Sequence, residues 1–127
     1  MMRKIIFTKD APAPIGPYSQ AVQVDNTLYV SGQIALDPKS GELLTSDIAL
    51  ETHRVLDSIK AILIAADMNF SNVVKCSVFV KDIGQFSAIN AVYTTYFAND
   101  NAPARELVEV TALPKGVNVE ISCIAHK

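Results

Sequence analysis

The sequence offers little special chemistry to staple, tether or charge the chain. Only two cysteines occur in 127 residues, Cys76 and Cys123, each inside an apolar run and in no spaced motif. Buried free thiols in a reducing compartment are therefore expected rather than a disulfide framework or a zinc site. The start, Met1-Met2-Arg3-Lys4-Ile5-Ile6-Phe7, has basic residues but only three apolar positions before Thr8 and Lys9, too few for a signal-peptide core. No other stretch approaches membrane-spanning length, so a cytoplasmic protein is the expectation. Eleven basic residues are scattered along the chain against thirteen acidic ones, for a formal charge of −2. That lacks the clustered basic footprint of a nucleic-acid binder and favours small-molecule partners. There is no Gly-Lys phosphate loop, no dinucleotide glycine fingerprint and no nucleophile-elbow serine. His53 and His126 have no metal-ligand spacing, so no metal is expected. Repeats and low-complexity tracts are also missing.

What is present is enough apolar material for one domain, residues 1–127. A chain of this size hides roughly two thirds of its unfolded surface without staples. Its hydrophobic content of 50% also fits a protein that buries surface between subunits.

Periodicity divides the chain into alternating elements. Ala11-Pro12-Ala13-Pro14 and Gly16-Pro17 form a stiff, turn-rich loop lying on the domain. Residues 21–24 and 28–30 are short strands joined by Asp25-Asn26 as a hairpin, and the second leads into Ser31-Gly32-Gln33. Ser46 or Asp47 caps a helix whose apolar positions Ile48, Val55, Ile59, Ile62, Leu63 and Ala66 recur at helical spacing. Residues 73–80 alternate as a central strand, with Val74, Cys76, Val78 and Val80 on the buried side. Residues 83–97 give a second helix with Phe86, Ile89, Asn90, Tyr93 and Phe97 along one side. Strands 105–110 and 117–125 close the chain through the turn Leu113-Pro114-Lys115-Gly116. The order β-β, α, β, α, β-β predicts an α+β fold, with helices on one face of a mainly antiparallel sheet and the other face left for a partner or solvent.

Two late charges stand out in this frame. Arg105 opens an otherwise apolar strand just after Pro103-Ala104, where a guanidinium is a fork for a small carboxylate. Glu106 points to the opposite side of that strand, while Glu109 remains a competing internal partner. Glu120 lies in the apolar run 117–125, on a face with Asn118, Ser122 and Ile124, where a carboxylate either is solvated or works on water. Tyr18 is a phenol held beside Gly16-Pro17, either a packed loop aromatic or a site residue. Ser31-Gly32 allows close backbone approach to a ligand or is a plain strand end. His53 and Asp57, four apart on the first helix, suit a surface pair, and His126 lies at a fraying terminus.

Five blocks in register resemble the reactive intermediate deaminase (Rid, YjgF-like) family: residues 13–21 (APIGPYSQA), 28–34 (LYVSGQI), 78–82 (VFVKD), 103–105 (PAR), and 113–116 (LPKG) leading to Val119-Glu120-Ile121. The resemblance implies a chorismate-mutase-like fold assembled as a homotrimer, with sheets packed into a central barrel and clefts between subunits. It implies a cofactor-free hydrolase that converts 2-imino acids such as 2-iminobutanoate and 2-iminopropanoate to 2-keto acids and ammonia, protecting pyridoxal-phosphate enzymes. Position by position, Arg105 would clamp the substrate carboxylate, Glu120 would orient or deprotonate water, and Tyr18 would help position either. Ser31, Gly32, Asn90 and the backbone of Leu107 would line the cleft. Arg105 beside Glu120 would help keep that carboxylate ionised. Glu106 and Leu107 replace the smaller or more polar residues frequent in the family, and Asp67 replaces a common glycine in a left-handed turn. A non-catalytic trimer that binds small carboxylates, or a holdase, is the alternative; an endoribonuclease or translation inhibitor is disfavoured by the acidic charge.

Overall fold

Short apolar runs separated by turn residues yield a single six-stranded sheet in the computed structural model, which describes residues 2–127. The strands are β1 (Arg3–Ile6), β2 (Ala21–Val24), β3 (Thr27–Gln33), β4 (Val73–Val80), β5 (Ala104–Glu109) and β6 (Val119–His126), with helices α1 (Ile48–Ala65) and α2 (Phe86–Tyr93). Across the sheet they run β1-β2-β3-β6-β4-β5. Every pairing is antiparallel except β4 with β5, which are parallel and joined through α2. This is the expected α+β architecture with one strand more than the sequence pattern foretells.

That extra strand is β1. Its Arg-Lys-Ile-Ile sequence has no convincing alternation, yet Ile6 is buried in the core and all four residues pair with β2. Asp25, in a left-handed conformation (φ 52), turns the β2–β3 hairpin as expected. The Asp47 side chain caps α1 by accepting from the backbone N–H of Ala49 and Leu50, satisfying donors that the first turn leaves open. The second helix is shorter than its periodic pattern: a 3-10 turn at Ile83–Gln85 precedes α2, which ends at Tyr93.

Both helices pack on the same face of the sheet. Val55, Leu56, Ile59, Ile62 and Leu63 of α1 and Ile89 of α2 share a core with Leu28, Val78, Val119 and Ile121. Cys76 and Cys123 are cross-strand neighbours in this core and remain free thiols, and burial raises the pKa of both, that of Cys123 far above the usual thiol range. Val74 was expected on that face; instead it is half exposed, because the β4–β6 register shifts between Val73 and Lys75 and rotates it out. His126 is not frayed either: it ends β6, and its Nδ1 lies 3.1 Å from the Thr27 hydroxyl.

Among the described residues, the opposite face carries no helix. Ile5, Tyr29 and Val108 stand on it about half exposed, and such an apolar surface marks an interaction site more often than bare solvent contact. Among the described residues, no helix is long and apolar enough to cross a membrane.

Candidate active site

Register decides where the candidate residues point. Arg105 lies beside Cys76 of β4, which lies beside Cys123 of β6, and this row faces the helices. Glu120 lies beside Phe79, three residues further along β4, and therefore faces the other way. The expectation that Glu120 sits next to Arg105 on a neighbouring strand is thus not met within one chain. β4 separates the two strands, and the two side chains leave opposite faces of the sheet.

On the helix side Arg105 is half-buried and fixed by neutral groups. Its Nη1 donates to Asn90 Oδ1 at 2.7 Å, and its guanidinium carbon lies 4.7 Å from the Tyr93 ring centre and 5.8 Å from that of Phe86. Asn90 and Tyr93, one helical turn apart on α2, therefore orient the fork from below and behind. Burial, followed by the neighbouring Cys76 thiol, holds the Tyr93 phenol far above its ordinary pKa and so keeps it neutral. No carboxylate among the described residues pairs with Arg105. Glu106 accepts from the Ser77 hydroxyl and forms an ion pair with Lys75 at 3.0 Å, contacts that in that order lower its pKa. Glu109 accepts from the Ile83 backbone N–H. Glu109, the internal competitor, is thereby occupied elsewhere, as is Glu106 on the other face, and the guanidinium faces a groove with Thr94, Asn99 and Pro103. Leu107 follows on the same face of β5, an edge strand whose outer backbone groups have no strand partner.

On the open side Glu120 packs over Gly32. A β-carbon added at position 32 would lie 2.8 Å from the Glu120 Cδ and 3.1 Å from its Cγ, so only glycine leaves the carboxylate its place. Burial alone raises the Glu120 pKa above the ordinary carboxylate value. Arg105, the cation anticipated at its side, lies on the opposite face of the sheet, so burial rather than a neighbouring charge sets the direction of this shift. Gly32 lies at an irregularity where the β3–β6 register shifts between Val30 and Gln33, and such bulges re-aim side chains. Ser31 is held by its neighbours: its N–H donates to the Gln20 carbonyl at 2.9 Å and its hydroxyl to the Ser19 carbonyl at 2.6 Å.

Gly32 and Tyr18 line one pocket together with Ala13, Ile15, Ile34 and Lys115. Tyr18 is half exposed; its hydroxyl accepts from the Ile15 N–H at 3.3 Å, which leaves the phenolic proton available to a ligand. The Pro-rich loop that carries it is tied down by the buried Gln20 side chain, which accepts from Thr8 N–H and donates to the carbonyls of Thr8, Ala11 and Pro12. The expected residues thus fall into two groups: Arg105 with Asn90 and Leu107 on the helix face, and Glu120 over Gly32 on the other, with Tyr18 lining the same pocket as Gly32 and Ser31 next to Gly32 in the chain.

Sequence reasoning did not single out Lys115, whose left-handed backbone (φ 57) places it at the pocket rim. Its position within Leu113-Pro114-Lys115-Gly116 was the only signal. His53 and Asp57 do not pair directly but meet through the Tyr96 hydroxyl, which donates to Asp57 at 2.9 Å and lies 3.0 Å from His53 Nδ1. Among the described residues no group of three or more His, Cys, Asp or Glu side chains converges as a metal site.

Comparison with known proteins gives a consistent picture. The family model described as Endoribonuclease L-PSP matches residues 8–127. The 2-iminobutanoate/2-iminopropanoate deaminase of Bos taurus is 52% identical over 125 residues, covering 98% of this chain and 90% of the relative. Among solved structures, the YjgF gene product of E. coli superposes with a TM-score of 0.92 at 46% identity, covering 98% of each chain. E. coli TdcF with bound serine superposes with a TM-score of 0.92 at 39% identity, also covering 98% of each. With the sequence blocks, the sheet order and these similarities in agreement, the chain belongs to the Rid (YjgF, L-PSP) family.

Proposed function

We propose that this protein hydrolyses small 2-imino acids to 2-keto acids and ammonia, at a site assembled from two copies of the chain. The observation that carries this reading is the Arg105 guanidinium, aimed by Asn90 and backed by Tyr93 while every nearby carboxylate is otherwise engaged. A cation prepared in this way and left without an anion suits a small carboxylate, bound through two parallel N–H groups. The deaminase relative and the serine-bound neighbour support a substrate of amino-acid size.

Because Glu120 faces the other side of the sheet, its half-site must meet Arg105 of a second copy. The uncovered apolar face supplies a surface for that assembly, for which we propose a homotrimer with its sheets packed inward. One copy contributes Arg105, Asn90 and the backbone of Leu107. The next contributes Glu120, Gly32, Ser31 and Tyr18.

The chemistry asks for little more. An imine carbon is already electrophilic, so the protein needs to fix geometry and supply a base. With the carboxylate clamped, Glu120 takes a proton from water as oxygen bonds to the imine carbon, and Tyr18 positions that water. Glu120 then returns the proton to the nitrogen of the carbinolamine. The carbinolamine hydroxyl then passes its proton through the Glu120 carboxylate to the nitrogen as the C–N bond breaks, releasing ammonia and leaving the 2-keto acid. A positioned base contributes about two to four powers of ten. No step calls on a cofactor. The free buried thiols fit a reducing, cytoplasmic setting, where the reaction removes reactive imines shed by pyridoxal-phosphate enzymes.

The direct test generates 2-iminobutanoate or 2-iminopropanoate with an amino-acid oxidase and traps what remains with semicarbazide. Wild type is expected to deplete trappable imine faster than buffer, and Arg105→Ala and Glu120→Gln to lose that acceleration, while Glu120→Gln still binds a small carboxylate. The serine held by the TdcF neighbour favours a second reading, a carboxylate-binding trimer without turnover. No acceleration with several imines, combined with Arg105-dependent binding, would put that reading first.

A further inference from the structure

The least expected group in the core is an acid. Glu51, in the first turn of α1, is fully buried, and its carboxylate has no cation beside it. It accepts three hydrogen bonds instead: from the Asn118 N–H at 2.7 Å and the Val119 N–H at 3.2 Å through Oε2, and from Asn118 Nδ2 at 2.8 Å through Oε1. The N-terminal end of the α1 dipole adds a favourable potential for an anion. Burying a carboxylate is expensive even when it is satisfied, and an apolar residue of similar volume usually serves stability as well or better. The feature therefore needs a reason other than packing.

What Glu51 holds is the start of β6. The Asn118 carbonyl is also fixed, accepting from the Lys81 N–H at 3.0 Å. Asn118 and Val119 are thus pinned by groups from α1 and from the end of β4, directly after a turn whose Lys115 and Gly116 are both left-handed. The next residue is Glu120, projecting from the opposite face onto Gly32.

We infer that Glu51 is a positioning residue for Glu120: its buried carboxylate fixes the backbone of Asn118 and Val119 and thereby holds the base of the proposed reaction over Gly32. A glutamine at position 51 keeps the size but offers only one accepting oxygen to three donors, and its NH2 group opposes one of them. This inference rests on the deaminase reading for its kinetic consequence, though not for its structural one.

The experiment pairs kinetics with a side-chain titration. In Glu51→Gln, kcat for 2-iminobutanoate is expected to fall roughly ten-fold with KM little changed, as displacing a base without touching the carboxylate clamp requires. Independently of turnover, carbon-detected NMR of the Glu120 carboxyl should show its pKa fall toward the ordinary value in Glu51→Gln, as the loosened side chain gains water. Should Glu51→Gln fail to fold, Asn118→Ala removes one donor of the three and is expected to give a smaller loss of the same kind. Unchanged kcat and unchanged Glu120 titration would overturn the inference while leaving the deaminase reading in place. If wild type shows no imine turnover, the deaminase reading falls, and the titration alone decides whether Glu51 positions Glu120.

Discussion

Arg105 and Glu120 project from opposite faces of one sheet, with β4 between their strands. Neither side chain can reach a substrate held by the other within the same chain. The proposed reaction is therefore a property of an assembly, and its geometry makes several outcomes measurable.

Gly32→Ala should separate the base from its seat. Gly32 has no left-handed conformation to lose, but the new methyl would meet the Glu120 carboxylate. An expected loss of about a hundred-fold in kcat, with thermal stability nearly unchanged, would be read from imine depletion and a melting curve.

Asn90→Asp should close the fork. A carboxylate 2.7 Å from Arg105 Nη1 would replace the present neutral acceptor and compete with the substrate for the guanidinium. KM is expected to rise at least about ten-fold, while thermal stability holds or improves. Asn90→Ala, which frees the guanidinium rather than occupying it, should raise KM less.

The pH profile should carry the signature of a half-buried base. Burial raises the Glu120 pKa, and the base works only when ionised, so kcat should fall on the acid side through a value above the ordinary glutamate pKa. The stability sign is opposite. An acid whose folded-state pKa is raised favours folding below its unfolded pKa, and that contribution is lost as pH rises through the folded value. Glu120→Gln should therefore abolish turnover and leave the protein slightly more stable than wild type at neutral pH, as seen by denaturant unfolding.

Asp67 turns the chain after α1 with φ 60, a conformation aspartate tolerates at some cost and glycine adopts freely. Asp67→Gly is expected to stabilise by a few tenths to about 1 kcal/mol, with activity unchanged.

Local order was legible in the sequence; orientation was not. The alternation of residues 76–80 and 119–125, the Asp25-Asn26 turn and the Asp47 cap all appear where their chemistry requires them. Alternation assigns each strand two sides but does not say which side faces the helices, so the opposed directions of Arg105 and Glu120 emerge only from the register across β4. Val74 escaped because a register shift breaks the period that placed it inside. β1 escaped because two of its four residues are basic and its pairing with β2 is what makes it a strand. Glu51 was invisible for a different reason: a glutamate in a first helical turn looks like an ordinary surface residue until Asn118 and Val119, sixty-seven and sixty-eight positions away, fold onto it.

A two-copy site can be tested by complementation. Arg105→Ala and Glu120→Gln chains, each inactive alone, are to be refolded together in equal amounts and assayed for imine depletion. A site formed between copies regains activity wherever an intact Arg105 from one variant meets an intact Glu120 from the other, roughly a quarter of wild type on random assembly. A mixture as inactive as its parts, from chains shown by mass to have co-assembled, would contradict the account.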